Sequence, residues 1–189
     1  RALLVFFCGL MLTGLWSAVY HWRPDASGLA LDRLGMAVSF AGVLALAAAD
    51  RVGPRESNRT LGLVLVLAAV SAWLPLTHGH VLPWAVVQFG GIALVLSVAW
   101  RARAVGGLGV CWACLIAIYA LAKWVEMNDE VVFLASGQWL SGHTLKHLIA
   151  ALAAWPVITA LRQNARIAGR IDRVIAEQAQ RSEEPCHVR

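Results

Sequence analysis

Charge is what this chain has least of. Of its 189 residues only 14% are charged while 59% are hydrophobic, with a mean hydropathy of +0.66. A soluble domain of this size carries more charge, so the composition predicts an integral membrane protein. Cysteine is sparse as well. Cys8, Cys111 and Cys114 fall in apolar segments and Cys186 in the tail, which argues against a disulfide framework. Cys111 and Cys114 form a C-x-x-C with no second pair, read here as two packed thiols. The six histidines are too few for the multi-box di-iron centres of membrane desaturases. Ser141-Gly142-His143 shows no recognisable nucleophile loop, and an i, i+4 histidine pair cannot bracket one haem.

Long apolar runs are abundant. Six stretches, roughly 2–21, 29–49, 61–77, 82–100, 105–122 and 142–161, approach the ~20 residues that a bilayer core requires. Lipid offers the backbone no partners and the runs do not alternate. The expected fold is therefore an all-α polytopic transmembrane bundle of six spans over residues 1–161, with a cytoplasmic amphipathic tail over 162–189. In that tail Ile167, Ile171, Val174, Ile175 and Ala179 form one stripe among arginines and acids, suited to a membrane surface. His187 is read as a solvated tail residue. Pro75, Pro83 and Pro156 are candidate kinks, and Gly90-Gly91 and Gly106-Gly107 candidate sites of close helix contact. Trp22, Trp84, Trp100, Trp124 and Trp139 fall near span ends, as an interfacial belt would place them.

The formal charge of +5 does not call for nucleic acid. Twelve of the sixteen basic residues, from Arg1 through the tail, fall on one side of the predicted map. Arg23, Arg33 and Lys123 fall on the other, which places both ends of the chain in the cytoplasm. Residues 1–22 lack a small-residue cleavage pattern and read as a span rather than a signal peptide.

On that map a few polar residues share one depth. His143 and His147, four apart at the mouth of the last span, stand on one helix face. Ser17 and His21 lie near the outer end of the first span and Asp32 near the outer end of the second. Ionisable groups inside a membrane are scarce and usually functional. Three neutral imidazoles with an open position suit a catalytic zinc site, in which Asp32 accepts the proton of bound water or orients a ligand. The Ser17 hydroxyl can donate to an oxyanion. Plainer roles compete: headgroup contacts for the histidines, an arginine salt bridge for Asp32, a helix carbonyl for Ser17. His78 and His80 form a weaker pair in a loop between prolines. Glu126, Asp129 and Glu130 are expected to order the outer loop or to pair with Lys123 or Lys146, ahead of a hydrogen bond that orients a metal ligand.

Ser17-x-x-x-His21, Asp32 and His143-x-x-x-His147 in that order resemble the signature of the alkaline ceramidase family, within the CREST superfamily that also holds adiponectin-type receptors. Leu31-Asp32-Arg33-Leu34-Gly35-Met36, Ser141-Gly142-His143-Thr144-Leu145-Lys146-His147-Leu148, Ala122-Lys123-Trp124-Val125-Glu126 and Gln88 are similar to bacterial, alkaline phytoceramidase-like members. The resemblance spans nearly all of residues 10–161. It implies a zinc-dependent amide hydrolase cleaving the N-acyl bond of ceramide-like or other N-acyl membrane lipids. One zinc per chain would sit on His21, His143 and His147, with Asp32 and Ser17 catalytic. It also implies a bacterial inner-membrane protein with its site toward the periplasm and no inferable protein partner. The family has seven spans, so the first, with the segment that holds a calcium site in family ceramidases, is expected to precede Arg1. The alternative is a non-catalytic CREST-like receptor or lipid-binding protein with the same zinc site.

Overall fold

The computed structural model describes residues 1–79 and 82–183, without the side chains of Thr77, His78, Ala179 and residues 181–183. Among the described residues the chain is all helix, with no strand. Eight helices follow one another: α1 (Ala2–Trp22), α2 (Ala26–Arg51), α3 (Pro54–His78), α4 (Leu82–Ala99), α5 (Trp112–Met127), α6 (Asp129–Ala135), α7 (Gly142–Ala151) and α8 (Ala154–Glu183). Helices α1 to α4, and α7 taken with the first part of α8, are long and apolar enough to cross a membrane, and the architecture is compatible with a membrane bundle.

α2 is the central element. It packs along α1 on one side and α3 on the other, and its second half is buried almost continuously from Ala41 to Ala48. Gly28, Gly35 and Gly42 recur every seven residues, so they share a stripe facing α1. A side chain at Gly42 would collide with the backbone of Phe6. One at Gly9 of α1 would collide with that of Ser39. Small residues thus let two backbones approach until dispersion contacts are dense. The turn between α1 and α2 is short, and Asp25 caps α2 by accepting from Gly28 N at 2.7 Å. The end of α1 and the start of α2 are thereby fixed side by side.

Several expectations need correction. The fifth apolar stretch does not become helical at 105. Gly106 and Gly109 adopt φ of +74° and +73°, left-handed conformations that a helix does not contain, and α5 starts at Trp112 with only 16 residues. The segment before it is tied down instead. Buried Asp50, near the end of α2, accepts from Gly109 N at 2.6 Å and from Trp112 Nε1 at 2.7 Å. Asn164 of α8 donates to Leu108 O at 2.8 Å.

The last stretch, expected as one helix over 142–161, breaks between α7 and α8. Leu152 and Ala153 donate three residues back, to Ile149 and Ala150. Pro156 has no N–H to offer the carbonyl of Leu152, so the regular ladder stops there. Beyond it α8 runs through positions 161 and 162 without interruption. Ile167, Ile171, Val174 and Ile175 are exposed along it.

Cys111 and Cys114 are exposed at the start of α5 rather than packed. Trp84 is buried against Ala37, Ala68 and Ala72, whereas Trp22, Trp100, Trp124 and Trp139 are exposed near helix ends. Of the paired glycines, Gly91 meets the ring of Phe40 and Gly107 the backbone of Asp50, while Gly90 and Gly106 face open space. Cys186, His187, His80 and the end of the predicted tail lie outside the described residues, as does the His78 side chain.

Candidate metal centre

α7 begins where its sequence says it should. Ser141 adopts an extended conformation and its Oγ accepts from Thr144 N at 3.0 Å, an N-cap that satisfies one of the orphan donors of the first turn. Asp129, at the start of α6, accepts from His143 N at 2.7 Å. Gly142 lies so close to Val125 O and Asp129 that a side chain there would clash. Position and pitch of α7 are set by these contacts, and they set the positions of His143 and His147.

The two imidazoles face each other, with their Nε2 atoms 3.3 Å apart. Across from them stands Asp32 of α2, 1% exposed. Its Oδ1 lies 3.4 Å from His147 Nε2 and its Oδ2 3.7 Å from His143 Nε2. Among the described residues neither oxygen has a hydrogen-bond partner, and no arginine forms the salt bridge considered for Asp32.

A carboxylate taken out of water without donors is costly, and buried carboxylates in folded proteins are paired or bind metals. One ligand atom from each of Asp32, His143 and His147 falls within 4.8 Å of the others. A buried acceptor with no donor, facing two imidazole nitrogens, is a donor set that a divalent cation would satisfy. The group can hold a metal ion, and its chemistry leaves the identity of that ion open.

The other predicted residues reach the same end of the bundle. His21 is beside the group rather than inside it. Its ring stands edge-on to His143 with centroids 5.5 Å apart, and its Nε2 is 3.4 Å from Thr144 Oγ1. Ser17 is buried one turn before His21 on α1 and makes no hydrogen bond to Asp32, His143 or His147. Two neighbours were absent from the sequence reading. Tyr20 places its ring 5.6 Å from that of His143, and Thr144 contacts His21. Thr144 adjoins His143 in sequence and could have been noticed, whereas a tyrosine next to His21 gives no signal of its own.

Of Glu126, Asp129 and Glu130, it is Glu126 that forms ion pairs among the described residues. Its Oε1 accepts from Lys146 Nζ at 2.6 Å and its Oε2 from Lys123 Nζ at 2.7 Å. This trio and His147 are among the residues lining a partly open cavity of about 280 Å³ between α1, α2, α4, α5 and α7. The cavity wall is mainly apolar and extends to Phe6 and Val43. Phe6 precedes His21 by fifteen residues on α1, about 22 Å along a regular helix. Set against family models, curated proteins and solved structures, the chain has no match.

Proposed function

We propose that this chain is a zinc-dependent membrane amide hydrolase acting on the N-acyl bond of ceramide-like or other N-acyl lipids. One observation carries the reading: the orphaned Asp32 carboxylate faces the His143–His147 pair, and His147 of that pair lines a mainly apolar cavity. An acyl chain is the ligand such walls suit, with its carbonyl left at the level of His147.

The residues that would hold zinc are His143 and His147, with His21 beside them and the Asp32 carboxylate facing the same point. Bound zinc supplies an acidified water and polarises a carbonyl. Asp32 would accept the proton of the attacking water, both its oxygens being without donors among the described residues. Ser17 is the donor for the carbonyl oxygen as charge develops on it. The capped, Asp129-anchored start of α7 fixes the backbone from which the two imidazoles project. The proposed orientation has both ends of the chain in the cytoplasm and the site toward the outer face, as the distribution of arginine and lysine favours.

The test is release of fatty acid from a panel of ceramides and other N-acyl lipids by purified protein, beside Asp32→Asn. Release by the native chain and at least a hundredfold less by Asp32→Asn is the expected result. Zinc bound at one per chain with no release from any lipid would replace this reading with a receptor or lipid-binding role.

A further inference from the structure

Cys111 and Cys114 are two thiols that the proposed hydrolysis does not use. Both are exposed, at the start of α5. Within a regular helix, Cβ atoms three residues apart stand about 5–6 Å from each other, beyond the ~3.8 Å that a disulfide spans. Cys111 escapes that spacing because it is the N-cap residue, with ψ of 85° rather than a helical value. Its sulfur accepts a hydrogen bond from the Cys114 thiol and another from the Cys114 N–H. Two sulfurs already in contact, one of them outside the helix, need little backbone movement to join. The contact also divides the pair: it holds the Cys111 thiol below the ordinary range and pushes that of Cys114 up. The first is the readier thiolate, and the second keeps its proton.

The loop that presents the pair is held in place and lies in polar surroundings. Asp50 fixes it through Gly109 N and the indole of Trp112, the residue that follows Cys111. Beside it Arg51 donates to Arg101 O at 2.8 Å and Arg103 to Asn164 Oδ1 at 3.1 Å. Three arginines at one end of an apolar bundle mark a membrane–water boundary, where a water-soluble reagent reaches exposed thiols. We propose that Cys111 and Cys114 form a thiol–disulfide exchange site for low-molecular-weight disulfides, with Cys111 as the attacking sulfur and Cys114 as the resolving one. The Cys111 thiolate attacks one sulfur of the disulfide, whose S–S bond breaks and releases one thiolate. Cys114 then loses its proton and attacks the Cys111 sulfur of the mixed disulfide, which releases the second thiolate. The pair is oxidised to an intramolecular disulfide, the reagent is reduced to two thiols, and the two protons of the pair pass to them. The site lies at the far end of α2 from Asp32 and does not depend on the hydrolase reading.

The experiment equilibrates the full chain in nanodiscs with mixtures of reduced and oxidised glutathione, then quenches with acid, alkylates the remaining thiols and maps them by mass spectrometry. Cys8→Ser and Cys186→Ser are present throughout, so that only the pair can react. The protein should lose two alkylatable thiols together, carry no glutathione, and yield a peptide that links Cys111 to Cys114. Adding Cys114→Ser should trap glutathione on Cys111 at a level at least tenfold above that of the intact pair. Adding Cys111→Ser instead should leave Cys114 to react at least tenfold more slowly below neutral pH, because its thiol is the more protonated. Closure of the folded chain should need at least tenfold less oxidised glutathione than closure of the chain unfolded in guanidinium, since the fold holds the sulfurs together. A pair that stays reduced, that keeps glutathione as stably as the Cys114→Ser variant, or that closes no more readily folded than unfolded overturns the proposal. Equal rates for the two single-thiol variants overturn the division into attacking and resolving sulfurs.

Discussion

Asp32 and His147, 115 residues apart in the chain, bring a carboxylate oxygen and an imidazole nitrogen to 3.4 Å, with no hydrogen bond to either carboxylate oxygen from the described residues. That contact joins the central helix α2 to α7. It places a cost on the metal-free chain, because the carboxylate is desolvated without donors. A cation that binds the folded state alone would offset this cost and stabilise the fold by mass action.

Metal removal should therefore destabilise the protein, and Asp32→Asn should partly cure it. With a chelator present, native protein should unfold at lower temperature than with zinc at about 1,000 times its dissociation constant, a difference of about 4 kcal/mol. Asp32→Asn removes the buried charge, so in chelator it should be more stable than the native chain by roughly 1–3 kcal/mol. Zinc should then add less to it than to the native chain, by about 1.4 kcal/mol for each tenfold that the substitution takes from zinc affinity. Thermal unfolding in detergent with and without chelator checks both signs.

The α1–α2 seam should tolerate no side chain. Gly42→Val sets a branched group against the Phe6 backbone, where no flexible atom can give way. Overpacking of this kind costs about 1–3 kcal/mol and more when backbone must move. Because α1 carries His21 and Ser17 and α2 carries Asp32, the variant should also lose metal affinity. Gly90→Val, which faces open space, is the matched control and should melt within about 0.5 kcal/mol of native.

Parts of this arrangement are legible in the sequence because they follow from periodicity. His143 and His147 share a face at any helical pitch, and an acid at position 32 in an apolar run can only be buried with a purpose. Positions that depend on tertiary approach are not legible in this way. The pairing of an acid with Lys123 or Lys146 is an expectation the sequence supports, but nothing local selects Glu126 over Asp129 or Glu130 for it. The glycine stripe 28, 35, 42 is visible only once α2 is known to face α1. Residues 105–111 look like membrane helix by composition. They fold as a loop because Gly106 and Gly109 take left-handed φ and Asp50 offers their neighbours better partners than a helix would.

Asp50 gives a separate prediction at the other end of α2. Asp50→Ala leaves the Trp112 indole N–H and Gly109 N–H without their acceptor, both in buried or half-buried positions. The expected loss is roughly 2–4 kcal/mol in unfolding free energy. Metal content should stay at the native level, since Asp32 precedes it by eighteen residues on the same helix, about 27 Å away. Chemical denaturation paired with metal analysis separates this latch from the centre.

Cys111, in the loop just before α5, should be the more reactive thiol at low pH. A hydrogen bond from Cys114 holds its thiol below the ordinary range by favouring the thiolate. A lowered value means the thiolate is already present at pH values where a free cysteine is protonated, so alkylation should begin at lower pH. Cys114→Ala removes the thiol donor while keeping the Cys114 N–H, and should move the alkylation profile of Cys111 part of the way upward. Mass-resolved labelling between pH 6 and 9 reads the shift, and an unmoved profile would refute the contact.

The division of labour between Asp32 and His21 is decided by metal content rather than by activity, because both changes should abolish turnover. His147→Ala and His143→Ala remove an imidazole whose Nε2 faces Asp32, and either should reduce bound zinc from one per chain to near none. His21 stands off from the group, edge-on to His143 and within 3.4 Å of the Thr144 hydroxyl. If it swings in to complete the set, His21→Ala should weaken zinc by at least a hundredfold while Asp32→Asn leaves it within about tenfold, the size typical of an orienting partner. The opposite ranking would make Asp32 the third ligand and His21 the group that orients it. Thr144→Val gives an independent check. Removing the hydroxyl frees His21 from its present neighbour, so zinc affinity should change if His21 is a ligand and stay unchanged if it is not. Equilibrium zinc competition against a chromogenic chelator, run on all five variants at one pH, resolves the two arrangements.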